Sequence, residues 1–404
     1  MAYTETEARE LVVEAGKRLL ETGLIARTWG NVSARISDTQ FVITPSGKPY
    51  DTLTPEELVI VNIDDCSYDG NIKPSSEKGI HADAYRLRPN VNFVIHTHQL
   101  RASVVGATGL SIDNVPENYR GILGDCVPVA AYGMPSTDKL RKALETAYID
   151  YPLSKAFMMV HHGACCLGKD FDEAFKIAET LEALCKEKIH KAYRLYEGTA
   201  NYSRKSMLES FIKANGGGKL PEYVTDLGES TRNGDSFELT FKNGKSFKVD
   251  IKTCKSDSEE KLPAAAMIHA AIYKSSDITC VKHITDNEVV GYSVIGQPIN
   301  PRLDDFAQIA GAKIKCVSWD GSMAGSKEIA KAVKGKNVVL VKGMGAIGTG
   351  TSLSDLEAVE LVLAKECQTQ MGSVFFNSGD TLSPVDCNLM RVIYVAKYSK
   401  QATA

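Results

Sequence analysis

The stretch Asn92-Phe93-Val94-Ile95-His96-Thr97-His98 joins an apolar, β-branched run to two histidines with a single residue between them. Successive side chains of a strand point to opposite faces, so His96 and His98 share one face and can grip one ion. A second strand-like run, Ala156 to Val160, leads into His161-His162-Gly163-Ala164. A divalent ion held by three imidazoles keeps a position open for water or substrate, which is what separates a catalytic site from a closed structural one. An isolated histidine beside a strand is ordinarily a core or surface residue. Here, however, four of the eight histidines fall in two short clusters, each after a strand, and His162 offers the third ligand.

Around this strand the chain alternates helix and strand. Ala8, Leu11, Val12, Ala15, Leu19 and Leu20 recur at helical spacing and predict a helix over 5–21, opened by a Thr4/Glu7 capping box and ending near Gly23. Strands are expected over 32–35, 41–44 and 58–63, a helix over 76–88 stopping before Pro89-Asn90, the histidine strand over 91–97 and a closing helix over 171–196. The pattern predicts a layered α/β domain.

A chain of 404 residues exceeds what one core supports, so at least two domains are expected. Gly198-Thr199-Ala200-Asn201 and Asn215-Gly216-Gly217-Gly218 break the alternation and suggest domains at 1–203 and 204–404. The net charge of −3, without a basic tract, gives no reason to expect nucleic acid or an anionic membrane as partner. No apolar run reaches the length of a membrane span, and the N-terminus lacks a signal pattern, which points to the cytoplasm. The ten cysteines are scattered without Cys-x-x-Cys pairs, as reduced thiols would be.

The second half repeats the first. Ile80-His81-Ala82-Asp83-Ala84-Tyr85 recurs as Ile268-His269-Ala270-Ala271-Ile272-Tyr273, and Gly163-Ala164 with Gly168 recurs as Gly345-Ala346 with Gly350. Such self-similarity marks a tandem duplication. His96 persists as His283, but His98 falls on Thr285 and His162 on Met344, a poor donor set for a divalent ion. Glu77 falls on an alanine, so its carboxylate disappears together with the ligands and belongs with their chemistry. His81 survives as His269, which favours a packing or hydrogen-bonding role. The second half therefore reads as a degenerate copy without a metal site.

Two further stretches suit an anion: Gly30-Asn31-Val32-Ser33 with Pro45-Ser46-Gly47-Lys48, and Pro74-Ser75-Ser76 at a helix start. Taken alone they read equally as helix caps and an ordinary turn.

Together, Gly30-Asn31-Val32-Ser33-Ala34-Arg35, Ile43-Thr44-Pro45-Ser46-Gly47, Pro74-Ser75-Ser76-Glu77 with His81, Arg88-Pro89-Asn90, His96-Thr97-His98 and His161-His162-Gly163 resemble, in order and spacing, the class II aldolase/adducin family. The resemblance covers roughly residues 1–195 and touches the second half only faintly. It implies a central β-sheet flanked by helices in three layers, present twice. It also implies a zinc enzyme that cleaves a ketose 1-phosphate of the L-fuculose 1-phosphate kind into dihydroxyacetone phosphate and an aldehyde. His96, His98 and His162 become ligands of one Zn2+ per chain, in the first domain, and Glu77 the acid/base. Gly30, Asn31, Ser46, Gly47, Ser75 and Ser76 become the phosphate subsite, and a homo-oligomer, dimer or tetramer, places active sites between subunits.

The chain departs from the family pattern in two places. Arg27-Thr28-Trp29 replaces the small residues that often precede Gly-Asn, and Tyr119 stands one residue out of register with the tyrosine that a neighbouring subunit supplies as proton donor. Within the same family, a pentulose-phosphate 4-epimerase, which usually carries aspartate at the position of Glu77, and a methylthioribulose-phosphate dehydratase are alternatives. An adducin-like interaction protein without catalysis is the alternative from another class. If active sites form between like domains, a fused inactive copy can stand in for a neighbour.

Overall fold

The computed structural model describes residues 2–25 and 29–398; Arg27 and Thr28 of the departing loop lie outside the described residues. Helix α1 spans Glu5–Glu21. It opens on the capping box, with Glu7 N–H donating to Thr4 Oγ1 and Thr4 N–H donating to Glu7 Oε2, and it buries Ala8, Val12, Ala15 and Leu19 along one face.

Strands β1 (Gly30–Arg35), β2 (Gln40–Ile43) and β3 (Val59–Asn62) follow, then α2 (Lys78–Leu87), β4 (Phe93–Thr97), α3 (Leu100–Gly106) and α4 (Glu117–Leu123). After β5 (Val129–Ala130) and α5 (Asp138–Asp150), the hairpin β6 (Ala156–Met159) and β7 (Ala164–Gly168) leads into α6 (Phe171–Glu197). The sheet order is β3-β2-β1-β4-β7-β6-β5, antiparallel except for the β5–β6 edge pair. Every residue of β4 is buried, as expected of a central strand covered on both faces.

Helix α2 starts later than its sequence predicts. Ser75 N–H donates to the Thr44 carbonyl and Ser46 N–H to the Lys73 carbonyl, so the chain stays extended through Ser75. Glu77 consequently sits at the N-cap rather than inside the helix.

The second half repeats this architecture with α7 (Arg204–Ala214), β8 (Glu229–Asn233), β9 (Ser236–Thr240), β10 (Ser246–Asp250), α8 (Ala266–Ser275), β11 (Cys280–Ile284), α9 (Asn287–Ile295) and α10 (Asp304–Ala310). It continues through β12 (Cys316–Val317), α11 (Met323–Val333), β13 (Val338–Val341), β14 (Gly345–Gly350), α12 (Leu353–Phe375) and α13 (Pro384–Ile393). The order β10-β9-β8-β11-β14-β13-β12 is the same permutation, and β12–β13 is again the parallel pair. The first compact unit runs to Tyr196 and also takes in Phe375–Asp380 and, of the described residues, 393–398; the second comprises Glu197–Val374 and Thr381–Val392.

Strand registers align the copies residue by residue. His96 opposite Cys165 on β7 corresponds to His283 opposite Ile347 on β14. Ser33 opposite Val94 corresponds to Ser230 opposite Val281. A buried polar cluster is common to both. Ser33 Oγ lies 2.7 Å from His81 Nδ1 and 2.7 Å from the Tyr85 hydroxyl, and Ser230 Oγ lies 2.7 Å from His269 Nδ1 and 2.8 Å from the Tyr273 hydroxyl. Arg35 donates to the Tyr85 carbonyl and lies over its ring, just as Arg232 does with Tyr273.

His269 makes the stability of the chain depend on pH. Burial, only partly offset by its hydrogen bond to the Leu227 carbonyl, depresses this imidazole from 6.5 to about 4. The unfolded chain takes up the proton near 6.5 and the folded chain only near 4, so stability is complete above this window. It falls as pH drops through the window, by about 3 kcal/mol in all. His269→Gln should remove about one proton from the slope of unfolding free energy against pH over this interval, a change read from denaturant titrations at several pH values.

Candidate metal centre

Two short elements build the centre. His96 is in β4 and His98 just beyond it, while His162 lies in the tight β6–β7 turn, where Met159 N–H donates to the Gly163 carbonyl. A Cβ at position 163 would fall 2.1 Å from the Thr97 carbonyl oxygen. Only glycine lets this turn close against the end of β4, and that closure delivers His162. His161, at φ 64°, packs edge-on to Tyr132 and stands apart from the cluster.

The donor atoms of His96, His98 and His162 lie within 4.8 Å of one another, and the three residues are 0%, 9% and 3% exposed. His96 Nδ1–H donates to the Ala164 carbonyl at 2.9 Å, which fixes the tautomer and turns the Nε2 lone pair toward the cluster. That lone pair faces Glu77 Oε2 at 3.3 Å, and Glu77 Oε1 lies 3.2 Å from His162 Nε2. A lone pair opposed to a carboxylate at this distance calls for positive charge between them, and the neutral nitrogen donors suit a borderline divalent ion. Burial would raise the Glu77 carboxyl, but positive charge on the side of His162 and His96, with the hydrogen bonds it brings, outweighs burial and holds the carboxyl well below the usual range.

Behind Glu77 stands Asn31, whose Nδ2 donates to Glu77 Oε2 at 3.1 Å while its Oδ1 accepts from His81 Nε2. Complete burial lowers His81 from 6.5 to about 3, so it is neutral. Gly30, at φ 115°, meets the β4 backbone so closely that a Cβ would lie 2.6 Å from the His96 carbonyl oxygen.

The remaining sequence candidates separate into two groups. The bridge between Pro45 and Pro74 brings the Ser46-Gly47 turn beside Ser75-Ser76. Ser75 Oγ accepts from Glu77 N–H at 3.2 Å, and Ser76 Oγ lies 2.8 Å from Ser136 Oγ. Tyr119, on α4, instead donates its hydroxyl to Glu187 of α6. Sequence reasoning missed Ser136 and the Asn31–Glu77 contact, because no local pattern pairs residues so far apart; it also missed Tyr50, whose hydroxyl donates to the Gly30 carbonyl at 2.8 Å.

In the second copy both ring nitrogens of His283 are engaged. Nε2–H donates to the Met344 carbonyl at 2.6 Å, and Nδ1 accepts from Leu227 N–H at 3.0 Å. Thr285 accepts from Lys242 Nζ at 2.6 Å. Chain purified from zinc-supplemented medium should carry about one divalent ion, measured by elemental analysis. His98→Ala should lose it, whereas Thr285→His/Met344→His should gain no second ion, because the one lone pair of His283 is already taken by Leu227 N–H.

The family model for the class II aldolase and adducin N-terminal domain matches residues 10–189 and again 234–371. The chain is 32% identical over 177 residues to 5-deoxy-D-ribulose 1-phosphate aldolase of Bacillus thuringiensis serovar kurstaki, covering 43% of this chain and 80% of that protein. It is 31% identical over 186 residues to L-fuculose phosphate aldolase of Haemophilus influenzae, covering 44% and 80%. To methylthioribulose-1-phosphate dehydratase of Klebsiella pneumoniae it is 34% identical over 174 residues, covering 40% and 85%. Two matched segments, folded into two sheets of one topology, place the chain in the class II aldolase and adducin N-terminal domain family, as a tandem pair of which the first copy alone keeps three clustered histidines.

Proposed function

We propose that residues 1–203 form a zinc-dependent aldolase that cleaves a ketose 1-phosphate of the L-fuculose 1-phosphate kind into dihydroxyacetone phosphate and an aldehyde, and that 204–404 are a degenerate partner domain. The observation that supports this most is the Glu77 carboxylate, 10% exposed and 3.2–3.3 Å from two imidazoles of the three-histidine cluster.

Retro-aldol cleavage leaves electron density beside a carbonyl, and Zn2+ held by His96, His98 and His162 would supply the Lewis acid that stabilises it. Glu77 moves the proton at the donor carbon. Gly30, Asn31, Ser46, Gly47, Ser75 and Ser76 hold the phosphate, and anchoring it fixes the donor carbon against Glu77, converting binding energy into orientation. Ser136 joins them through its contact with Ser76. Tyr119 serves as proton donor on the aldehyde side in a site shared between subunits, within a homo-oligomer of the cytoplasm. Among the described residues no helix is long and apolar enough to cross a membrane.

Sequence similarity to the Klebsiella pneumoniae dehydratase supports a second reading, dehydration of methylthioribulose 1-phosphate. Purified chain with dihydroxyacetone phosphate and a panel of aldehydes should form ketose phosphate, and Glu77→Gln should slow this about 10²–10⁴-fold. No condensation, with dehydration of methylthioribulose 1-phosphate instead, would install the second reading. Light scattering should give a solution mass of at least two chains; a monomer would refute the shared site.

A further inference from the structure

We infer that His81 is a positioning residue: acting through Asn31, it fixes the orientation of the Glu77 carboxylate. The polarity of the connecting bonds follows from donor chemistry. Asn31 can donate only through Nδ2, which faces Glu77 Oε2 at 3.1 Å. Its Oδ1 therefore faces His81 Nε2, and that nitrogen must carry the proton. His81 Nδ1 is then the acceptor from Ser33 Oγ–H at 2.7 Å, and Ser33 in turn accepts from the Tyr85 hydroxyl at 2.7 Å. Each proton in the chain Tyr85–Ser33–His81–Asn31–Glu77 is thus assigned. Ser33 and His81 are wholly buried and Tyr85 nearly so, so water does not compete for these bonds.

The second copy is a control built into the same molecule. Ser230, His269 and Tyr273 reproduce the anchor, yet Gly228 stands where Asn31 would be and Ala265 where Glu77 would be. His269 Nε2 there donates to the Leu227 carbonyl at 2.9 Å. The anchor persists where nothing needs aiming, so packing explains its presence in both copies. The link through Asn31 exists only where there is a carboxylate to orient.

The effect of His81 on turnover rests on the proposed aldolase reading; its hydrogen-bond polarity does not. In the full chain labelled with 15N-histidine, the His81 proton should reside on Nε2 and its resonance should move on Asn31→Ala and Glu77→Gln, with that of His269 in place. A proton on Nδ1, or a resonance indifferent to Glu77→Gln, overturns the proposal whatever the enzyme catalyses. In the condensation assay His81→Ala should lower kcat about 10- to 100-fold with KM within about threefold, and His81→Gln, whose amide can stand in for Nε2–H, should recover most of it. His269→Ala should leave kcat within about twofold. Equal kcat for His81→Ala and His269→Ala overturns positioning. Should His81→Ala not fold, the labelled spectra of Asn31→Ala and Glu77→Gln decide, because Asn31→Ala cuts the link and spares the anchor but also takes a residue from the proposed phosphate subsite, so its kcat and KM do not isolate positioning. A wild-type chain without turnover on any ketose 1-phosphate counts against the aldolase reading alone, and the labelled spectrum then decides.

Discussion

The register between β4 and β7 is the constraint on which the centre depends. With His96 opposite Cys165 and Thr97 opposite Ala164, the end of β4 meets the beginning of β7, and His162, two residues before Ala164, has to lie beside His96 and His98. A slip of one residue would send His96 to the other face of the sheet. The register is held by the buried ladder and by Gly163, whose missing side chain allows the backbones to touch. The same pairing makes the Ala164 carbonyl the acceptor for His96 Nδ1–H, so the bond that fixes the tautomer is a by-product of the strand alignment.

Burying three imidazoles and a carboxylate together is unfavourable unless each group has a partner. The fold meets this demand in layers: a backbone carbonyl for His96, an amide from Asn31 for Glu77, and a neutral histidine behind that amide. The Ser-His-Tyr cluster to which that histidine belongs, under an arginine, recurs in the copy that lacks counterparts of Asn31 and Glu77, so the cluster belongs to the fold and its link through Asn31 to the site. Duplication has thus separated, inside one chain, what the fold needs from what the site needs.

The second copy differs from the first in more than its ligand positions. Its surviving histidine turned so that Nε2 donates to a carbonyl and Nδ1 accepts from a backbone amide. With Thr285 and Met344 beside it instead of imidazoles, satisfying both nitrogens internally is the low-energy arrangement for a buried histidine. Lys242, at the position equivalent to Ser46 in the strand register, reaches Thr285, the counterpart of His98.

The sequence alone determined the histidine strand, the helix over 5–21 with its capping box, the duplication and the family, because periodicity, capping chemistry and motif order are local properties. It also gave the three histidines as ligand candidates, since strand alternation fixes the face of His96 and His98. Tertiary structure alone decided that α2 begins at Lys78 and leaves Glu77 free to turn toward the imidazoles, that the Asn31 amide is held between His81 and Glu77, that Ser136 meets Ser76, and that Tyr119 lies against Glu187. These are contacts between residues distant along the chain. They depend on strand register, loop closure and side-chain direction acting together, which no window of sequence encodes.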